Sequence, residues 1–273
     1  SVYSNFSYIF KQRYSLSASA RKDGSNIFGV TTNDKWKPLW SVGLGWEVSR
    51  EDFYHLKWLP YFKLRTSYGY SGNVDLSKSA LPVASYGNDF ITNLPDAAIS
   101  TINNPDLKWE QSGQVNIGIE FHTKNSWLSG SIDYYHKKGT DLYGLTPYDY
   151  TTWGIQNTII KNVADMKGNG ADIVLNSKNI NRTFKWTTSV LYNYNISKTT
   201  RYFDDTYNNL TVLIGQGGFI SPVVGKPLYA IAAYKWGGLD NEGNPQGYLN
   251  GNLSTGYSAI YNEAIGNGLK NGN

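Results

Sequence analysis

The chain has 273 residues with a formal net charge of +4, and it contains 22 Tyr, 9 Trp, 28 Gly and no Cys. The missing cysteines exclude disulfides and thiolate metal sites, and the charged residues form no basic stripe of the kind that binds nucleic acid. No apolar run approaches the ~18 to 20 residues of a membrane-spanning helix, whereas a barrel strand needs only ~9 to 11 residues with apolar side chains at alternate positions.

Alternating apolar and polar residues predict eight β-strands, because a strand places successive side chains on opposite faces. In chain order, their approximate bounds are 2 to 10, 13 to 22, 36 to 48, 61 to 71, 109 to 121, 126 to 140, 166 to 177 and 183 to 197. A weaker pattern predicts a ninth strand near 221 to 236. In the third strand one face reads Trp36, Pro38, Trp40, Val42, Leu44, Trp46 and Val48, and the other reads Lys37, Leu39, Ser41, Gly43, Gly45 and Glu47.

The apolar faces of the five clearest strands carry no charged residue. A Lys or Arg facing lipid at mid-bilayer costs ~2 to 4 kcal/mol, whereas a charge facing a water-filled lumen stays hydrated. The third strand would span ~40 Å, well beyond the ~5 to 6 residues usual in soluble proteins. These features favour the wall of a membrane barrel over a soluble sandwich.

The predicted connections alternate in length, as they do in outer-membrane barrels with short periplasmic turns and long external loops. Brief connections occupy 11 to 13, 122 to 125 and 176 to 183, with an intermediate one at 49 to 60. Long connections rich in Gly, Asn, Asp and Pro occupy 22 to 35, 72 to 108, 141 to 165 and everything after 198.

Several segments carry a family resemblance: YSLSASARKDGSNIFG, KWKPLWSVGLGWEVS, FKLRTSYGYSGN, NPDLKWEQ, GSIDYYHKKGTDLY, NVADMKGNGADIVL, FKWTTSVLYNYN and GKPLYAIAAYKWGGLDNEGNPQGY. In this order, and over nearly the whole chain, they resemble the SusC/RagA family of TonB-dependent outer-membrane importers. One departure is Gly168, where the family has Asn in its N-x-G-x-E strand motif, while Gly170 and Asp172 retain the rest.

The resemblance implies an all-β, antiparallel fold made of about eight or nine strands of a 22-stranded transmembrane barrel with long extracellular loops. Residues 1 to 273 would form one piece of the barrel domain, towards its C-terminal part, because the sequence contains neither a plug nor a TonB box. The function implied is active import of a large nutrient, an oligosaccharide or a peptide, across the bacterial outer membrane. The implied partners are a SusD-like lipoprotein, the TonB complex and outer-membrane lipid, with no cofactor.

Two groups of residues are candidates for contact with a solute or a partner. Eight charged residues lie at strand positions whose side chains would face the lumen, where they either cross-link the wall or contact the plug and the solute: Arg21, Asp23, Lys63, Arg65, Glu110, Glu120, Asp133 and Asp172. Five loop aromatics suit stacking on sugars or packing against a lid protein, although they could simply order the loops: Tyr86, Phe90, Tyr148, Tyr150 and Trp153.

The sequence predicts no enzyme and no metal site. The three histidines lack metal-binding spacing, and LDNEGNPQG lacks the distal Glu of a calcium loop, so we interpret it as a solvated turn. The inward carboxylates of Glu110 and Glu120 would be ~33 Å apart, too far to act on one bond.

Two other interpretations remain. A closed eight-stranded barrel could serve as an anchor or adhesin, although its small inward side chains would leave the interior underpacked. A soluble carbohydrate-binding sandwich is disfavoured by the strand lengths and by the lipid-like faces.

Overall fold

A computed structural model describes residues 1–24, 36–75, 80–149, 151, 158–203, 222–229 and 233–267 of the chain. Within these ranges the elements are β1 Val2–Phe10, β2 Tyr14–Gly24, β3 Trp36–Glu47, β4 Tyr61–Asn73, β5 Val83–Asn88, β6 Pro95–Thr101, β7 Glu110–His122, β8 Leu128–Pro147, β9 Thr158–Asn181, β10 Lys185–Arg201, β11 Gly247–Leu249, β12 Asn252–Ser254 and α1 Tyr257–Asn267. The chain divides into two compact units, Ser1–Ser197 and Lys198–Asn273. None of the helices described is long and apolar enough to cross a membrane.

The first unit is built on one eight-stranded sheet in the order β1-β2-β3-β4-β7-β8-β9-β10. Its strands pair antiparallel with their neighbours, and β5 and β6 form a separate hairpin between β4 and β7. The all-β antiparallel prediction is confirmed. In the part of the chain described, β1 and β10 do not pair, so the sheet does not close on itself and a small eight-stranded barrel is not formed.

The cross-strand register gives the sheet two chemically different faces. One row, on what we call the apolar face, contains Leu16, Leu44, Thr66, Ile117, Tyr134 and Ala171. The adjacent row, on what we call the polar face, contains Ser15, Gly45, Arg65, Gly118, Asp133 and Asp172. Because the side-chain period is two, this register keeps the polar and apolar sets apart from strand to strand.

Burial in β3 is the reverse of that in a soluble protein. On the apolar face Trp36, Trp40 and Leu44 are 54%, 42% and 55% exposed, whereas the residues of the opposite face of β3 are all half-buried. Large apolar side chains are also exposed on β10, among them Trp186, Val190 and Tyr192. The apolar face is therefore the outer surface of the sheet, and it needs a medium other than water.

The sheet has two distinct ends. Brief connections at 11–13, 123–127 and 182–184 and an intermediate one at 48–60 lie at what we call the turn end. The strand ends that flank 25–35, 74–109 and 148–157 lie at the opposite end, which we call the loop end. The predicted alternation of short and long connections recurs only in part, because the connection at 48–60 is longer than those at 25–35 and 148–157.

Several predicted boundaries were wrong at the loop end. β8 and β9 continue to Pro147 and begin at Thr158, within a stretch predicted to be loop, and β5 and β6 lie in another predicted loop. Pairing between backbones sustains these extensions without an alternating apolar pattern, and register shifts around Gly139 and Leu142 interrupt the period of two.

The predicted ninth strand is absent from the described residues 222–229 and 233–236, while 221 and 230–232 lie outside the described ranges. This segment makes only an isolated bridge between Thr199 and Val224. Pro222 and Pro227 lack a backbone donor, and Gly225 adopts a positive φ of 87°, so a continuous ladder cannot form here. Further along the second unit, Asn250 and Gly251 form the tight turn between β11 and β12.

Candidate functional site

The polar face of the sheet lines an open cavity of about 1230 Å³. Short polar side chains are the largest group in its lining, including Ser15, Ser17, Ser67, Ser71, Ser112, Gln114, Asn116, Asn195 and Ser197. Five of the eight predicted inward charges also line it: Lys63, Arg65, Glu110, Asp133 and Asp172. Small hydroxyl and amide groups leave space for water and for a polar solute, and both signs of charge are present.

An ion pair crosses the middle of this polar surface. The Arg65 guanidinium meets the Asp133 carboxylate through two hydrogen bonds, Nε to Oδ1 at 3.1 Å and Nη2 to Oδ2 at 2.6 Å. Gly118 stands between them in the register, and a Cβ there would lie 2.8 Å from Arg65 Nε. Both partners are partly exposed, so the pair adds little stability, but its two-point geometry fixes both side chains.

Glu110 cross-links the wall at the loop end of the cavity. Its Oε2 accepts a hydrogen bond from Asn73 Nδ2 at 2.8 Å, and its Oε1 accepts one from the Tyr143 backbone N at 2.9 Å. The carboxylate therefore joins β4, β7 and β8. These contacts favour the structural alternative for this residue.

The connection between β6 and β7 is fastened to the wall beside Glu110. Asn162 accepts from the Lys108 backbone N at 2.9 Å and donates to the carbonyl oxygens of Lys108 and Asp141 at 2.9 and 2.6 Å. Asn104 Nδ2 donates to the Ile160 carbonyl at 2.6 Å, next to the buried side chain of Leu107. The motif NPDLKWEQ thus has a structural role that reasoning from the sequence did not identify.

The other predicted inward charges lie on the same polar face. Arg21 and Asp23 form an ion pair along β2, with Nε to Oδ1 at 2.7 Å. Lys63 and Glu120 oppose each other in the register of β4 and β7, and Asp172 accepts a hydrogen bond from Asn193. Among the described residues no three His, Asp or Glu side chains converge as metal ligands.

The tip of the β5–β6 hairpin is apolar and ordered by one carboxylate. Asp89 Oδ1 accepts hydrogen bonds from the backbone N of Thr92 at 2.7 Å and of Ile91 at 3.1 Å, and these bonds, the Thr92 one foremost, lower the pKa of Asp89. Phe90 and Ile91 are 96% and 87% exposed, and Tyr86 is also fully open. Ile91 is not among the loop residues predicted from the sequence, because that prediction rested on aromatic side chains.

The remaining loop candidates are less informative. Tyr148 is half-buried. Tyr150 and Trp153 lie outside the described residues.

A carboxylate at the turn end joins the termini of β2 and β3 to the β1–β2 turn. Glu51 Oε1 accepts from the Tyr14 hydroxyl at 2.6 Å and the Trp46 indole at 2.9 Å, and Oε2 accepts from Arg13 at 3.0 Å. Arg13 also contacts Asp52 at 3.0 Å. Aromatic residues held by polar groups at strand ends are typical of the boundary between membrane and water.

Replacing Glu51 by Gln is expected to lower the thermal midpoint of the full-length protein by a few degrees at pH 7. The Tyr14 hydrogen bond, followed by that of Trp46, lowers the pKa of Glu51 below its ordinary value of 4.5. Its contribution is therefore present above about pH 4.5 and is lost as the pH falls through the lowered pKa. The difference in midpoint between wild type and Glu51→Gln should be largest at pH 7 and should shrink as the pH is lowered below 4.5.

Asp52→Asn is the matched control, because Asp52 is exposed and, among the residues described, its side chain contacts only Arg13. Its midpoint at pH 7 should stay close to that of the wild type. A midpoint of Glu51→Gln equal to the wild-type value at pH 7 would show that the cluster does not stabilise the turn end.

Comparisons with known proteins agree on one family. The family model described as TonB dependent receptor-like, beta-barrel matches residues 1–272. TonB-dependent receptor P39 of Formosa agariphila is 32% identical over 229 residues, which cover 82% of this chain and 22% of that protein. TonB-dependent receptor SusC of Bacteroides thetaiotaomicron is 29% identical over 220 residues, covering 76% and 22%.

Solved structures show the same likeness. The RagAB peptide transporter superposes with a TM-score of 0.78 at 25% identity, over 95% of this chain and 28% of that one. The RagAB peptide importer in its closed-closed state gives 0.74 at 25% identity, over 92% and 28%. The chain thus spans only about a quarter of the length of the proteins it matches.

Proposed function

Because this chain belongs to the TonB-dependent receptor-like β-barrel family, we propose that it forms part of the wall of a bacterial outer-membrane barrel that actively imports a large polar nutrient. The observation that carries the proposal is the reversed burial of the sheet. Its apolar face is exposed, and its polar face lines the cavity. A wall with hydrocarbon on one side and water on the other requires this arrangement.

The position in the membrane follows from the apolar face and from the two ends of the sheet. Lipid contact removes the cost of exposing side chains such as Trp40 and Leu44 to water, ~25 cal/mol for each Å² of apolar surface. The short turns would face the periplasm and the long connections the cell exterior, as in other outer-membrane barrels. The protein would be a multi-pass β-barrel of the outer membrane.

The cavity suits conduction more than catalysis. Its serine, asparagine and glutamine side chains offer many weak hydrogen bonds. Its charged lining residues carry both signs: Lys63, Arg65, Lys137 and Lys167 are positive, and Glu110, Asp133 and Asp172 are negative. A polar oligomer can exchange hydrogen bonds along such a surface without being held at one point. No bond of the solute would be broken by these residues.

Partner proteins would supply the energy for import and would capture the solute. TonB would act through a plug, and a SusD-like surface lipoprotein would cover the loop end. The solute is an oligosaccharide or a peptide, and the RagAB proteins that superpose on this chain are named as peptide importers and transporters.

Uptake by cells tests the proposal. A strain lacking the gene should lose uptake of either fluorescent oligopeptides or fluorescent oligosaccharides above the size limit of porins, and the full-length gene should restore it. A protonophore should abolish the restored uptake, because import depends on the energised inner membrane. Unchanged uptake in the deletion strain for both solute classes, or uptake insensitive to the protonophore, would contradict active import by this protein.

The apolar tip of the β5–β6 hairpin is expected to contact the lid lipoprotein. Phe90→Ser combined with Ile91→Ser should weaken co-purification of the lipoprotein about thirtyfold, because central apolar contacts contribute ~2 kcal/mol or more to an interface. Pull-down of the full-length importer measures the effect. Val83→Ser at the base of the same hairpin is the control, since Val83 is exposed but lies away from the tip. Equal recovery of the lipoprotein by all variants would contradict this contact.

A further inference from the structure

Two lysines lie side by side on the apolar face towards the loop end. Lys138 of β8 is directly opposite Lys167 of β9, and His136 is opposite Asn169 two residues nearer the turn end. All four side chains are exposed. They have the same strand parity as Tyr134 and Ala171, which places them on the apolar face, although Lys167 also borders the cavity.

This arrangement brings two positive charges together, while the nearest acidic residue along β9, Asp165, accepts a hydrogen bond from the Asp141 backbone N. Directly opposite residues have Cβ atoms ~4.5 to 5.5 Å apart, and like charges placed so are destabilising. Within the described parts of the chain, neither lysine forms an ion pair. Lys138 faces Gly113 on its other side, which brings no charge. The pair is therefore open to an anion from outside the protein.

The lysines lie at a depth where an anion is present. Lys138 is ten residues from Leu128, the first residue of β8 at the turn end, which corresponds to ~33 Å along the strand. With a strand tilt of ~40°, the rise is ~25 Å, the height of the apolar band of an outer-membrane barrel. The ammonium groups therefore reach the headgroup region at the loop end and do not lie in hydrocarbon.

Building on the proposed function, we propose that Lys138 and Lys167 bind the phosphate groups of a phosphorylated glycolipid in the outer leaflet of the outer membrane. A phosphate between two ammonium groups forms strong charge-assisted hydrogen bonds and removes their repulsion. Asn169 and His136, which hydrogen-bond to each other, offer polar atoms to sugar hydroxyls. Ile132 and Tyr134 continue the same face below them, where acyl chains would lie.

Lipid titration of the detergent-purified full-length protein, followed by native mass spectrometry, tests this site. The probe is bisphosphorylated lipid A, compared with the same lipid A after removal of its phosphates. Lys138→Gln with Lys167→Gln should bind the phosphorylated lipid roughly thirtyfold more weakly, since each lysine near an anionic lipid surface contributes about fivefold. Lys138→Arg with Lys167→Arg should retain binding, because it keeps the charge.

Lys57→Gln with Lys124→Gln, two exposed lysines at the turn end, is the matched control and should leave lipid A binding unchanged. Equal binding by the Lys138 and Lys167 double variant and the wild type would overturn the proposal. So would equal binding of dephosphorylated lipid A, or equally tight binding of phosphatidylglycerol through the same lysines. These results are separate from the proposed function, which fails only if the full-length protein needs no detergent or does not import.

Discussion

Replacing Val42 by Arg is expected to lower the free energy of unfolding of the full-length protein in lipid vesicles by about 2 to 4 kcal/mol. Val42 is exposed on the apolar face and stands five residues from the turn-end terminus of β3 at Glu47. At ~3.3 Å per residue and a tilt of ~40°, its side chain lies ~13 Å into an apolar band ~25 Å tall, close to the middle. A guanidinium there loses its water and gains no partner.

Ser17→Arg is the matched control for this substitution. Ser17 opposes Gly43, the neighbour of Val42, so it lies at a similar depth but lines the cavity on the polar face. Urea unfolding in vesicles of short-chain lipid should show a loss for Val42→Arg and a change within ~1 kcal/mol for Ser17→Arg. The opposite order, or equal losses, would mean that the two faces have been assigned the wrong surroundings.

Gly130→Ala should destabilise the protein by about 3 kcal/mol, because overpacking in a closely packed structure has this order of cost. A Cβ at Gly130 would overlap the Val174 carbonyl oxygen, which is backbone and cannot rotate away, and would lie 2.9 Å from Leu175 Cδ2. β8 and β9 would have to separate locally. The same unfolding measurement, with the fraction of assembled barrel on unheated gels, reports the loss.

Gly113→Ala provides the comparison on the neighbouring strand β7. Its nearest contact would be the Tyr68 hydroxyl at 3.5 Å, an ordinary van der Waals distance. Its effect should stay within ~1 kcal/mol, and a slight stabilisation is possible because alanine restricts the unfolded chain. A loss at Gly113 as large as that at Gly130 would contradict the steric account.

Period-two patterning predicted the strands of the large sheet because each one separates two different environments. Trp36, Trp40 and Leu44 alternate with small or polar residues, and no other regular structure separates them in this way. The register that brings the strands together also follows this pattern, since a slip of one residue would place charges in lipid. The antiparallel fold was therefore accessible from the alternating pattern, and the family from the resemblance of segments such as NPDLKWEQ.

The structure at the loop end could not be predicted from the sequence in the same way. The outer parts of β8 and β9 and the whole β5–β6 hairpin are held by backbone pairing and by side chains such as Asn162, which leave no periodic apolar pattern. The weaker pattern near 221 to 236 predicted a strand, but the Pro and Gly residues near Val224 prevent a continuous ladder there.

For the candidate site, the alternation of residues along each strand identified which charged side chains share the polar face. It did not identify which of these side chains contact one another. Arg65 and Asp133 are 68 residues apart and touch only because Gly118 leaves room between them. Glu110 is engaged by Asn73 and by the Tyr143 backbone, contacts that depend on the register of three strands. The roles of the inward charges in solute passage remain predictions.

Fluorescence quenching at successive positions of β3 tests most directly whether one face of this sheet contacts hydrocarbon. The chain has no cysteine, so single cysteines introduced from position 40 to position 45 are unique within it and can each carry a bimane fluorophore. In vesicles containing phospholipids brominated on their acyl chains, bimane at positions 40, 42 and 44 should be strongly quenched, and bimane at 41, 43 and 45 should remain bright. Equal quenching at both sets, or quenching of the odd positions alone, would contradict a wall with lipid on its apolar side and water on its polar side.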